Sequence, residues 1–224
     1  MKSLVTSLAA LFITAVAFAQ YPVTTTESTY DLPPGKRVDM NLKFANDIVV
    51  KTWERDALGL TVRLMRSDAA LEKVHELTVT EGPDRLRVAM DYAFDEDWEE
   101  KYQCWSCDAP KEGCICLRAD YEIYLPADAD LELETIAGNI DIDGLRGPVR
   151  AKSISGFVDM GCSPRLSGDL HFRSVTGEIY TDFDEIGLDE GSTPYSKRLT
   201  TALNGGGARV ELETVSGNIY FRKL

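Results

Sequence analysis

Four copies of one short pattern occupy the C-terminal half of the chain: Thr135-Ile-Ala-Gly-Asn-Ile140, Ser153-Ile-Ser-Gly-Phe-Val158, Ser174-Val-Thr-Gly-Glu-Ile179 and Thr214-Val-Ser-Gly-Asn-Ile219. Each reads hydroxyl, aliphatic, small, glycine, variable, aliphatic. The glycines Gly138, Gly156, Gly177 and Gly217 are separated by steps of 18, 21 and 40 residues. A step of about twenty strand-forming residues marks a coil that stacks on itself. The repeats therefore predict an all-β protein built as a β-solenoid, a single-stranded β-helix-like stack of rungs about twenty residues long. The 40-residue step equals two rungs, with 181–208 as an irregular rung and a loop excursion.

Within each copy the apolar parity switches. Leu131, Leu133 and Thr135 share one parity, whereas Ile136, Gly138, Ile140 and Ile142 share the other. Strand side chains alternate with period two, so the switch marks a corner. Stacking is expected to bury Ile136, Ile154, Val175 and Val215 in one column. It should place the four glycines in another, where backbone approaches backbone. On the outer face, Glu132 should meet Arg150 and Glu134 should meet Lys152 across adjacent strands, pairs that control register. Arg150, His171 and Arg173 are the basic cluster of this face.

The chain opens with Lys2, an apolar run from Leu4 to Phe18 and the small-residue site Ala17-Phe18-Ala19. This reads as a secretory signal peptide over 1–19, with export to the periplasm, cell surface or medium and no membrane span after cleavage. Residues 20–35 read as a flexible leader. An irregular N-terminal β region follows over 36–128, with a cysteine-rich insertion at 95–118 and one short helix over 67–75. The repeats fill 129–224. The last strand, 218–223, is expected to end the stack with an open edge through which copies could associate. A formal charge of −13 argues against nucleic acid as a partner.

Cys104, Cys107, Cys114 and Cys116 offer two chemistries. Four thiolates could enclose zinc, but an oxidising compartment favours disulfides. Cys104–Cys116 with Cys107–Cys114 would make a natural hairpin ladder, although four cysteines allow three pairings. Cys162 reads as a small apolar filler. His75 and His171 assemble no catalytic triad, and the pairs Asp141/Asp143 and Asp182/Asp184 are weak calcium signals. No cofactor motif is present.

The segment Ile48-Val-Val-Lys-Thr-Trp-Glu-Arg-Asp56, with Tyr124-Leu-Pro-Ala-Asp-Ala-Asp-Leu-Glu-Leu-Glu-Thr135 and the Ser/Thr-x-Ser-Gly-x-Ile repeats, resembles the DUF4097-type "putative adhesin" family of exported bacterial β-helical proteins. The likeness covers roughly 36–65 and 121–224. It implies a non-enzymatic, envelope-associated protein and supplies no catalytic residues. The expectation is an adhesin-like surface-contact module for a protein or glycan of the cell envelope. The alternatives are an envelope-stress, redox- or metal-responsive sensor acting through the cysteine loop, and a β-helix carbohydrate-active enzyme. The segments that break the repeat, 95–118 and 181–208, are the expected seats of function.

Overall fold

The structure, a computed structural model, describes residues 21–224 apart from 69, 70, 72, 95–103, 106, 108–113, 188, 190, 191, 194 and 195. The expected signal peptide and the acidic stretch 95–100 lie outside the described residues. Strands are numbered along the chain. The first of two open eight-stranded sheets runs β1 (Val23–Asp31), β4 (Ala57–Arg66), β9 (Leu117–Pro126), β3 (Asp47–Trp53), β11 (Asn139–Asp143), β13 (Val158–Cys162), β18 (Ile219–Lys223), β15 (Ile179–Thr181). The second runs β16 (Lys197–Leu203), β14 (Gly168–Ser174), β17 (Ala208–Thr214), β12 (Val149–Ser153), β10 (Asp130–Thr135), β2 (Arg37–Leu42), β6 (Arg85–Tyr92), β5 (His75–Glu81). A minimal pair, β7 (Cys104–Trp105) and β8 (Cys114–Ile115), stands apart.

The protein is all-β, its rungs distributed over two large mixed sheets rather than wound as one uniform coil. The repeat region shuttles between two mixed sheets, each rung giving one strand to each: β10 then β11, β12 then β13, β14 then β15, β17 then β18. Rungs pair in parallel, and antiparallel strands flank them: β16 on β14 at one end, β4 with β1 and β5 on β6 at the other. Both sheets draw strands from either side of residue 129 and share one buried core. Strict alternation fills that core. Along β9, Leu117, Ala119, Tyr121, Ile123 and Leu125 point inward, and each large aliphatic so buried contributes roughly 1.5–3 kcal/mol.

The copies do not stack in sequence order. β12 pairs with β17, and β17 with β14, so the spatial order is first, second, fourth, third. In the first sheet β18 likewise lies between β13 and β15. The expected open edge at 218–223 is therefore wrong: the last strand is internal, paired on both sides. The expected aliphatic column is also overturned. Thr135 and Ser153 are buried, whereas Ile136 and Ile154 are each 39% exposed, and Val175 and Val215 are only half-buried. The parity switch is taken up by two consecutive outward residues, such as Ile136 and Ala137, and the hydroxyl turns inward because it finds hydrogen-bond partners there.

Residues 23–31 belong to the expected leader, yet they form β1. Its alternate residues lie opposite Leu58, Leu60, Val62 and Leu64 of β4, and its β-branched threonines suit an extended backbone. The expected helix at 67–75 reduces to 3₁₀-type bonds, Leu71 N to Asp68 O at 3.1 Å and Val74 N to Leu71 O at 3.2 Å, and His75 already opens β5.

Candidate functional site

The repeated hydroxyl and glycine build the corners on which every outer face depends. Ser153 Oγ donates to Gly138 O at 2.8 Å and accepts from Gly156 N at 2.9 Å. Ser174 Oγ donates to Gly217 O at 2.8 Å and accepts from Gly177 N at 2.9 Å. Thr214 Oγ1 donates to Gly156 O at 2.9 Å, and Thr135 Oγ1 to Leu42 O at 2.8 Å. Each of these buried hydroxyls is thus satisfied by a backbone carbonyl of the neighbouring rung, which offsets the cost of burying it. The glycines form one column: a Cβ on Gly156 would lie 2.1 Å from Gly138 O, and one on Gly177 would lie 1.9 Å from Gly217 O.

Of the cysteines, Cys107 and Cys116 are disulfide-bonded, with Cα atoms 4.6 Å apart. The ladder of Cys104–Cys116 with Cys107–Cys114 is therefore corrected. β7 and β8 pair in parallel, setting Cys104 opposite Cys114 in the backbone register, so the segment is not a simple hairpin. Cys114 is disulfide-bonded as well. The disulfides occupy sulfurs that a zinc tetrahedron would need. Cys162 is buried and free, its thiol pushed up to about 12 by burial. Among the described residues no group of three or more His, Cys, Asp or Glu side chains gathers as metal ligands would.

The outer face of the second sheet is a neutralised lattice. Arg150 Nη1 lies 3.4 Å from Glu132, Arg173 Nη1 is 3.4 Å from Glu213, and Arg37 Nε is 3.0 Å from Asp130. Glu134 and Lys152 face each other in register. The basic cluster of Arg150, His171 and Arg173 does not form, because Glu211 and Glu213 of β17 come between them.

The outer face of the first sheet differs. One row crosses it in register: Glu122, Val49, Asp141, Asp159, Tyr220, Tyr180. Its middle is acidic and one end aromatic. Burial, then the Asp159 and Asp143 carboxylates, hold Asp141 above the usual carboxylate range, with Arg222 opposing. Arg222 Nε reaches Asp159 at 2.7 Å. At the other end Lys51 and the Tyr124 hydroxyl, 2.7 and 2.8 Å from Glu122, hold that carboxyl below its ordinary value. A shallow groove lined by Asp47, Val49, Lys51, Arg63, Asp120 and Glu122 runs beside them. Tyr180 stacks on Tyr220 with centroids 5.3 Å apart, Phe157 meets Tyr220 edge-on at 6.1 Å, and Tyr180 is 50% exposed. Sequence reasoning singled out Asp141 but not these rings. The signal was available, since Tyr180 and Tyr220 each follow the last aliphatic of a repeat copy, a position that alternation turns outward.

Flat rings beside hydrogen-bond acceptors can stack on a ligand and receive its donors. No family model matches the chain, and no curated protein matches it in sequence. Among solved structures, a Clostridium sporogenes protein named "putative cell adhesion protein" is similar in fold, with a TM-score of 0.52 at 10% identity over 90% of this chain and 100% of that one. A "putative adhesin" from Bacteroides fragilis aligns with a TM-score of 0.26 at 10% identity, over 92% of this chain and 100% of that chain. A "putative lipid binding protein" from Parabacteroides distasonis aligns with a TM-score of 0.26 at 7% identity, over 89% and 96%. The Clostridium likeness speaks for the fold alone, and the other two carry no argument.

Proposed function

We propose that this is a non-enzymatic, adhesin-like binding module of the bacterial cell envelope, exported by the signal peptide at 1–19 and belonging with the DUF4097-type proteins that its repeats resemble. The observation that carries the reading is the row of carboxylates and stacked tyrosines on the outer face of the first sheet, a flat contact surface mounted on a stack of rungs. Its partner is a protein or glycan of the envelope. The tyrosine pair beside Asp159 favours a polyhydroxylated glycan, because sugar rings stack on aromatic faces while carboxylates accept hydroxyl donors. The Clostridium sporogenes protein of similar fold bears a cell-adhesion name, which is in keeping with the reading.

Cross-linked pull-down from the native envelope, followed by titration of the captured glycan or protein, tests it. Replacing Tyr180 and Tyr220 together by alanine should weaken binding at least about tenfold, as expected when stacked aromatic anchors are truncated, with thermal unfolding little changed. Undiminished binding by that variant would remove this face as the contact surface. Turnover of an envelope polysaccharide by the wild-type protein would replace the reading with an enzymatic one.

A further inference from the structure

We propose that the protein forms a two-fold dimer through the corner ridge that carries its outward aliphatic residues. Main-chain hydrogen bonds align this ridge from rung to rung: Ile136 N to Lys43 O at 2.9 Å, Ser155 N to Ile136 O at 2.8 Å, Ser216 N to Ile154 O at 2.8 Å, Thr176 N to Val215 O at 2.9 Å. The result is a straight row, Phe44, Ile136, Ile154, Val215, Val175, whose first three members are each 39% exposed. On the first-sheet side it is bordered by the small exposed residues Ala137, Ser155 and Ser216, so the row stands proud. A continuous apolar row on a strongly charged protein marks a contact site.

Two properties specify a second copy as the occupant. The first is taper, since the row runs from phenylalanine at one end to valine at the other. The second is charge. The bordering column on the second sheet reads Glu134, Lys152, Glu213, Arg173 in spatial order. A two-fold axis between the rungs of β10 and β12 would run the two ridges antiparallel. Ile136 would then meet Ile154 of the second copy, and Phe44 would meet Val215, large against small. Glu134 would oppose Lys152, and Asn41, the residue of this column on β2, would oppose Glu213. An axis through the rung of β12 itself would set Lys152 against Lys152 and Glu134 against Glu213, so charge requires an axis between rungs. Among those, only the one between β10 and β12 sets Phe44 against a valine. Such self-complementarity is what an isologous interface requires. The contact is lateral and leaves both ends of the stack, and the tyrosine row, uncovered.

Sedimentation velocity of the processed chain across roughly 1–100 µM should show a concentration-dependent dimer. Ile154→Glu should weaken it at least tenfold at an unchanged melting temperature. Under mild oxidation, Phe44→Cys protein mixed with Val215→Cys protein should form a cross-linked heterodimer, while neither cross-links alone. A wild-type monomer throughout the range, a dimer indifferent to Ile154→Glu, or Phe44→Cys cross-linking with itself as readily as with Val215→Cys would overturn the proposal.

Discussion

Gly156 accommodates a hydrogen and nothing larger. The Gly138 carbonyl that a Cβ would meet belongs to backbone that cannot withdraw without opening the ladder. Gly156→Ala should therefore cost about 3 kcal/mol, at the upper end of overpacking penalties. Gly187→Ala, where a Cβ would meet nothing within 4 Å, should be near neutral; urea unfolding of the two variants makes the comparison. His75 is the second residue of consequence. Its Nε2 lies 2.7 Å from the Tyr121 hydroxyl, the Tyr92 ring lies 6.2 Å away, and burial holds its pKa below 6.5. The folded state then binds fewer protons than the unfolded one between that lowered value and 6.5. Stability from this group is full above pH 6.5 and declines as pH falls through the window. Melting temperature against pH should show a steeper acid-side fall for wild type than for His75→Gln.

At the scale of the strand, charge explains the order of the rungs. Stacked in sequence order, Arg150 would face His171 and Lys152 would face Arg173. Inserting β17 puts Glu211 and Glu213 between them, so the Lys152–Arg173 contact is replaced by Lys152–Glu213 and Glu213–Arg173. Lys152→Glu would place a third carboxylate between Glu134 and Glu213, and should destabilise the fold by about 1 kcal/mol at low salt. The loss should shrink as salt screens it, measured by denaturant unfolding at two ionic strengths. This alternation was in the sequence, and it marks what could have been read. The pairs Glu132/Arg150 and Glu134/Lys152 and the glycine column follow directly from the repeat. Two features did not. Reading Ile136 and Ile154 as core extended the parity of Ile140 and Ile142 back through the corner, whereas two consecutive residues turn outward there and the buried hydroxyls are stabilised by carbonyls that only the stacked fold supplies. The outward positions of Tyr180 and Tyr220 were legible, but their stacking on each other needed the β13–β18–β15 neighbourhood, which no local pattern contains.

For the whole molecule, the position of β17 and β18 makes the stack non-sequential. A solenoid built in order loses one rung when its last repeat is removed, because each repeat touches only its neighbours. Here, truncation after Glu213 removes the strand between β13 and β15, together with the Thr214 hydroxyl that anchors Gly156. The truncated chain should show no cooperative unfolding in urea, and a cooperative transition close to wild type would contradict this topology.

The same insertion reaches beyond stability. β17 and β18 follow β14 and β15 in the chain yet sit between them and the earlier rungs, so a chain interrupted between Thr181 and Ala208 keeps two unsatisfied strand edges in each sheet with no strand between them. Such edges invite aggregation or proteolysis. Closure of the earlier rungs is thereby made to wait on a strand pair synthesised later, and a chain interrupted in that window cannot pass as a shorter stack.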